Sequence, residues 1–408
     1  MVAGSSWALS PETAMLLDLL QAKGVISQNE ATEFTKTLEG KMAEAVEKQP
    51  QSSEAITLPQ GEGGGEAQES GGTADILSKV HLSGELAASL TAVQSSDSVG
   101  EKTSSSDALL DTALLNVETE INQYVTGRLT FLYEEGSNDD NIALDEAVIG
   151  LQGSSSLPLY ANIGRQYLPF GKYASRFISD PLPLVLGESN DTAFIAGFAN
   201  DTLDVNIGGF AGKVKKRGKG ETINSAVASL TLTLPKAGSE DVLGGRGGVS
   251  YISNLATSNS LEGLNHDASD VALLTPGDVE SGVAGWSAFI SLSYADQLFF
   301  DAEYLAAVND FAVGDFSFAE AENRRPATWN MELAAKVLEP VEIALRYGGS
   351  HDVLIDSQGA PLTSQDEYGV VLLYSIFDST TIAVEYLYQK FHDASDNRLG
   401  TVHLAVEF

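Results

Sequence analysis

The sequence predicts an all-β transmembrane barrel of about 16 antiparallel strands, preceded by a short N-terminal α-helical segment. Three observations carry that expectation. From Lys79 onward apolar and polar residues alternate, the connections between alternating segments are long and short in turn, and aromatic residues recur near both ends of one strand face.

Composition sets the frame. The 408 residues carry a formal net charge of -34, with 23 scattered Lys and Arg. Neutralising nucleic-acid phosphates requires clustered bases, so no nucleic-acid partner is expected. The cysteine count of 0 excludes disulfides and thiolate metal sites, and it suits an oxidising envelope compartment. No segment approaches the ~18 uninterrupted apolar residues of a spanning helix. Ala14 to Leu20 comes nearest, and Asp18 interrupts it. No basic stretch precedes an apolar core, so residues 1–9 read as a signal remnant or a disordered N-terminus.

Residues 10–48 read as helix. Ser10 can cap, Pro11 suits the first helical position and Glu12 complements the dipole, and the first helix stops at Gly24. A second begins after Ser27, with Glu30 completing a capping box and Phe34, Leu38, Met42 and Val46 forming a narrow stripe. Helices near or below ~12–15 residues are marginal alone, so these need each other or a partner chain. A helical hairpin and a coiled coil forming a homotrimer both satisfy that need. Residues 49–76, with Gly61-Glu-Gly-Gly-Gly65 and Glu69-Ser-Gly-Gly72, cannot bury enough apolar area to order themselves. They read as a flexible linker spanning roughly 30 Å on average.

Residues 77–408 read as the barrel. Val80, Leu82, Leu86 and Leu90 alternate with His81, Ser83, Glu85 and Ser89. Later segments repeat the pattern, as in Trp286, Ala288, Ile290, Leu292, Tyr294 and in Trp329, Met331, Leu333, Ala335, Val337. Each approaches the ~9–11 residues of a tilted membrane strand. Long connections are expected at 94–107, 135–142, 168–190, 213–221, 255–281, 309–325, 350–366 and 391–397. Brief turns fall between them, at 122–123, 153–157, 200–202, 236–241, 295–296, 338–340 and 378–379. Outer-membrane barrels place long loops outside and short turns in the periplasm, so both termini are expected to be periplasmic. Trp286 and Tyr294 share a face, and on a tilted strand they lie roughly 20 Å apart along the membrane normal, near the spacing of aromatic girdles.

Several stretches resemble known families. Val402, Leu404, Val406 and Phe408, alternating up to a terminal Phe, resemble the assembly signal by which barrel-assembly machinery recognises its clients. Leu16 through Glu30 is similar to the periplasmic N-terminal helix of many porins. Leu132-Tyr-Glu-Glu135, Gly164-Arg-Gln-Tyr-Leu-Pro-Phe-Gly171, Ile178-Ser-Asp-Pro-Leu182 and Leu186-Gly-Glu188 resemble the LbtU-type siderophore porin family, and the similarity extends over most of 77–408. That resemblance implies a Gram-negative outer-membrane location and passage of a siderophore or similar small solute.

If the apolar parity faces lipid, the other parity lines a lumen with Glu118, Glu120, Glu134, Glu146, Asp204, Asp301, Glu303, Glu332, Glu342, Glu385 and Glu407. Arg128, Lys336 and Arg346 oppose them. Charge rings set selectivity, so this lining is expected to favour cations, unless the acids are merely solvated or paired. The long connection 168–190 joins the fifth and sixth strands and carries Lys172, Tyr173, Arg176 and Asp180, the candidates for a constriction loop. An external cap is the alternative reading.

No enzyme is expected. Ser350, His351 and Asp352 are consecutive, whereas triad members must converge in space. No G-x-S-x-G, Walker A or H-E-x-x-H occurs, and no cofactor or metal site is expected: Asn138 to Asn141 lacks EF-hand spacing, and His266 and His351 are single. The functional expectations are therefore a solute or siderophore channel, a general cation-selective porin, or an envelope tether gripping through residues 10–48.

Overall fold

The computed structural model describes residues 79–408 apart from 136–140, 155, 217–221, 235–241, 268–277, 280–281, 313–314, 316–322 and 353–360. The helices expected in 10–48 and the linker 49–76 lie outside the described residues. Among those described, sixteen strands form one closed antiparallel barrel. Its first wall comprises β1 (Val80–Ser96), β2 (Lys102–Asn122), β3 (Val125–Tyr133), β4 (Ala143–Ser154), β5 (Leu157–Tyr167), β6 (Asn190–Ala199) and β7 (Leu203–Phe210). After the short β8 (Lys215–Lys216) come β9 (Ser225–Leu234) and β10 (Leu243–Ile252). After β11 (Asp278–Val279) come β12 (Gly285–Tyr294), β13 (Leu298–Ala307), β14 (Ala327–Leu338), β15 (Val341–His351), β16 (Asp366–Phe377), β17 (Thr380–Lys390) and β18 (Asp396–Glu407). β8 and β11 stand apart from the barrel as a parallel pair within the long connections.

The alternation seen in sequence becomes two faces with inverted burial. On the outside Leu333, Leu345 and Leu372 are 54%, 55% and 41% exposed, while the inward Ala334, Ala344 and Val371 are 1%, 0% and 0% exposed. A water-soluble sheet would hide the larger side chains; this one presents them around its circumference, which only a lipid surface accommodates without penalty. Near the long-loop end, Tyr251, Trp286, Tyr304, Tyr347 and Tyr368 form an outward belt. Ring centroids lie 5.3 Å apart for Trp286 and Tyr304 and 5.2 Å for Tyr347 and Tyr368. Tyr294, Tyr374, Phe377 and Phe408 are exposed at the opposite end. No helix among the described residues is long and apolar enough to cross a membrane.

Two connections are shorter than expected. The segment 94–107, expected as a long polar loop, continues β1 and β2 as a paired hairpin out to Ser96 opposite Lys102. Its Ser and Thr residues are polar toward both faces, so no parity signal marks them as strand. Asp97 closes the turn by accepting the Val99 and Glu101 N–H groups at 3.0 and 2.7 Å, beside Gly100 at φ 85°. Likewise the connection expected at 391–397 shrinks to the five residues 391–395, because β17 and β18 pair as far as Lys390 opposite Asp396. Asp393 accepts from the Ser395 N–H and hydroxyl, and these bonds hold its carboxyl below the usual range. Of the brief turns, Asn122 accepts the Tyr124 N–H at 2.9 Å. Ala295 and Asp296, both left-handed at φ 51° and 52°, make the mirror-image turn that matches strand twist.

The seam joins β1 to β18, from Glu85 opposite Glu407 to Ser96 opposite Asp396. Gly84 donates to the Phe408 carbonyl and accepts its N–H at 3.0 and 3.1 Å. A Cβ on Gly84 would lie 2.6 Å from the Phe408 ring, so the absent side chain is the seat of that ring. Val402, Leu404, Val406 and Phe408 all face outward along this seam.

The apolar core sits inside the barrel, at its long-loop end. The short α1 (Leu182–Gly187) contributes Leu186, and the chain before it contributes Leu168 and Phe170. The connection after β10 contributes Leu255 and Ala256 from a 3-10 turn and Leu261 from α2 (Asn259–Asp267). These close over inward Ile195, Phe210, Val227, Ile252 and Leu305 of the wall. At about 1.5–3 kcal/mol for each fully buried Leu, Ile or Phe, this cluster is the principal reason both connections lie inside rather than above the barrel.

Candidate functional site

The segment 168–189 runs along the inner wall, and inward carboxylates hold it there. The Lys172 and Tyr173 N–H groups donate to Glu303 at 2.9 and 2.6 Å. Ser175 Oγ and the Arg176 N–H donate to Glu332 at 2.8 and 2.9 Å. The Ile178 and Ser179 N–H groups converge on Glu385 at 2.6 and 3.2 Å. Successive backbone N–H groups aimed at one anion make a nest, and here the anion is supplied by the barrel. Tyr173 adopts φ 54°, a left-handed conformation costing about 1–2 kcal/mol for a residue with a side chain. The paired hydrogen bonds to Glu303 offset that cost.

Arginines complete the attachment. Arg176 bridges Asp301 and Glu342, each at 2.5 Å. Arg346, wholly buried on β15, donates to Glu332 at 3.0 Å, to Ser179 Oγ at 3.0 Å and to the Ser179 carbonyl at 2.9 Å. Its guanidinium lies 4.2 Å from the centroid of Phe177, which packs with Ala334, Ala344 and Val371. Burial raises the carboxyl of Asp180, opposed by the charge of Arg346 and reinforced by that of Glu385.

The expected lumen residues therefore divide into two sets. Asp301, Glu303, Glu332 and Glu385 are buried beneath the segment, because their charges serve as acceptors for its backbone and arginines. Glu118, Glu120 and Glu407 are exposed. With His81, Arg128, Gln152 and Asn162, the first two line a recess of about 350 Å³. Arg128 pairs with Glu146 at 3.0 Å, and Asp204 accepts the Tyr160 hydroxyl at 3.1 Å. Glu134 follows the end of β3 and lies on a loop rather than a strand. Lys336 stands 5.6 Å from the Phe299 ring centroid, on the same ring as Arg176 at 4.6 Å.

Sequence reasoning missed Arg246. It stands opposite Ser291 and Thr233 on β10, on the parity contrary to outward Val249 and Tyr251, and so faces inward. The run Gly244-Gly-Arg-Gly-Gly248 shows no apolar alternation; counting parity back from Tyr251 would have found it.

A second tie lies between the two inserted connections. Glu188 accepts the Asn259 side-chain N–H at 3.1 Å, and its carbonyl accepts the Asn259 backbone N–H at 2.7 Å. Burial, then the charge of Asp180, push the Glu188 carboxyl up to about 7. A raised carboxyl favours the folded state while protonated in it, and that contribution is lost as pH rises through about 7. Amide protection factors across 182–189, taken relative to the intrinsic base-catalysed exchange at each pH, are therefore expected to be higher at pH 5.5 than at pH 8. Glu188→Gln is expected to remove the difference; an unchanged pH dependence in that variant assigns it elsewhere.

No family model matches the chain. It is 26% identical over 275 residues to a UPF0422 protein of Coxiella burnetii, covering 65% of this chain and 56% of that protein. A UPF0422 protein of Legionella pneumophila is 22% identical over 304 residues, covering 69% and 54%. The chain thus spans about half the length of the curated relatives it matches. Among solved structures, Pseudomonas putida OprB aligns at TM-score 0.56 and 13% identity, covering 83% of this chain and 96% of OprB. The anion-selective porin from Comamonas acidovorans aligns at 0.53 and 10%, covering 81% and 99%. The outer membrane channel DcaP of Acinetobacter baumannii aligns at 0.52 and 14%, covering 81% and 97%. Closed by sixteen strands, belted with aromatics and facing lipid with leucine, the chain has the barrel fold of the outer-membrane porins.

Proposed function

We propose that the protein is a diffusion channel of a Gram-negative outer membrane, with the short-turn end periplasmic, and that it admits a siderophore or a solute of similar size. The observation that carries this reading is the segment 168–189, fastened by Glu303, Glu332 and Glu385 against the inner wall, where it narrows the passage without forming a separate plug domain. The siderophore itself rests on the resemblance of Gly164 to Gly171 and Ile178 to Leu182 to the LbtU-type porins. Ferric-siderophore flux into liposomes bearing the purified barrel tests it, and flux no greater than into empty liposomes removes it.

A general cation-selective channel is the second reading, favoured by Glu118, Glu120 and Glu407, which keep exposed carboxylates on the inward parity. Acidic linings concentrate cations. Reversal potentials in a KCl gradient are expected to show cation preference and to move toward zero in the Glu118→Gln/Glu120→Gln variant. Anion preference in the unaltered barrel refutes this reading.

A further inference from the structure

Against a chain of net charge -34, one part of the inner wall is cationic. Arg246 stands on β10 with Gly244 and Gly248 as its inward neighbours along the strand, and with the small Thr233 and Ser291 beside it on the adjacent strands. The Phe289 ring covers Gly248, and Gly244 is itself buried, while Arg246 is exposed toward the interior. The result is a recess of about 340 Å³ lined by Arg246, Thr233, Gly244, Ser291, Phe299 and Arg176. Lys336 reaches the same Phe299 ring from β14. Asp301 and Glu342, the carboxylates at this level, are engaged by Arg176. Among the described residues neither Arg246 nor Lys336 has an ion-pair partner.

We infer that Arg246 and Lys336 form a carboxylate-binding subsite in the lumen, where a solute's carboxylate docks on the Arg246 fork with Lys336 as the second charge. A guanidinium presents parallel N–H donors matched to a planar carboxylate, and the recess beside Arg246 leaves room for the pair to form. Ser291 and Thr233 add hydroxyls on either side. The exposed acids Glu118 and Glu120 lie on β2, so the channel carries opposite charges on different stretches of its wall. A solute bearing both a cationic and an anionic group is held by both. The inference rests on the channel reading for its biological use, but the subsite is measurable without transport.

Calorimetric titration of the whole protein in detergent with succinate, and separately with inorganic phosphate, tests it. Succinate is expected to bind, with about tenfold loss of affinity in Arg246→Gln, as befits removal of a charge-assisted pair. A comparable loss is expected in Lys336→Gln, partial retention in Arg246→Lys, and no change in Glu118→Gln. Unaltered succinate affinity in Arg246→Gln overturns the subsite, and phosphate binding as tightly as succinate overturns its carboxylate assignment. Liposomes without solute flux, alongside intact succinate binding, would reject the channel reading and leave the subsite standing.

Discussion

Arg346→Ala is expected to free the segment 168–189 from the wall, raising single-channel conductance severalfold, and to lower stability by about 3–5 kcal/mol, the usual consequence of stranding one member of a buried ion pair. Arg346 is wholly enclosed with Glu332, and it supplies donors to the segment at Ser175, Ser179 and the Asp180 carbonyl. Truncation leaves Glu332 charged in a dry site and leaves the Ser179 carbonyl without its donor. The attachments at Glu303 and Glu385 and the Arg176 pairs with Asp301 and Glu342 then carry the segment without the buried anchor beneath Ser179. Arg346→Lys keeps the charge but not the fork, and an intermediate conductance is expected. Planar-bilayer recording together with urea unfolding checks both halves; an Arg346→Ala channel of unaltered conductance would show that the segment does not set the bore.

Leu345→Arg tests the lipid face. Leu345 lies near the middle of β15, exposed and opposite Leu333 and Val370 on the neighbouring strands. A charge at the membrane midplane costs about 2–4 kcal/mol, whereas one near the interface costs about 0–1 kcal/mol. Leu338→Arg, at the short-turn end of β14, is therefore the matched control. Unfolding of both variants from lipid bilayers should separate them by at least the lower part of that difference. Equal losses would mean that Leu345 does not sit at depth.

The barrel was legible because its period of two runs through the described strands and because lipid rewards the same parity throughout. Where that reward stops, legibility stops with it. The outer parts of β1 and β2 carry Ser, Thr and Asp toward both faces, so they read as loop although the backbone pairs continuously. The insertion of 168–189 was foreseen only as one of two readings, since its acceptors lie far along the chain: Tyr173 is 130 residues from Glu303 and Ile178 is 207 from Glu385. Inward Ile195, Phe210, Val227, Ile252 and Leu305 do carry a signal, because apolar residues on both parities mark a stretch of wall covered by an inserted segment rather than by water. Arg246 was hidden by its glycines.

The seam also imposes an order of events. Thr91 and Thr401 meet across it although 310 residues separate them, so the first strand waits for the last. Closing so long a loop is entropically slow, and until it happens β1 keeps an unpaired edge open to other chains. A chain arrested before Asp396 has no partner for that edge at all. Synthesis of β18 and closure of the wall are thus one checkpoint, and the pairing of Gly84 with Phe408 is where a closed wall differs from an aggregation-prone open one.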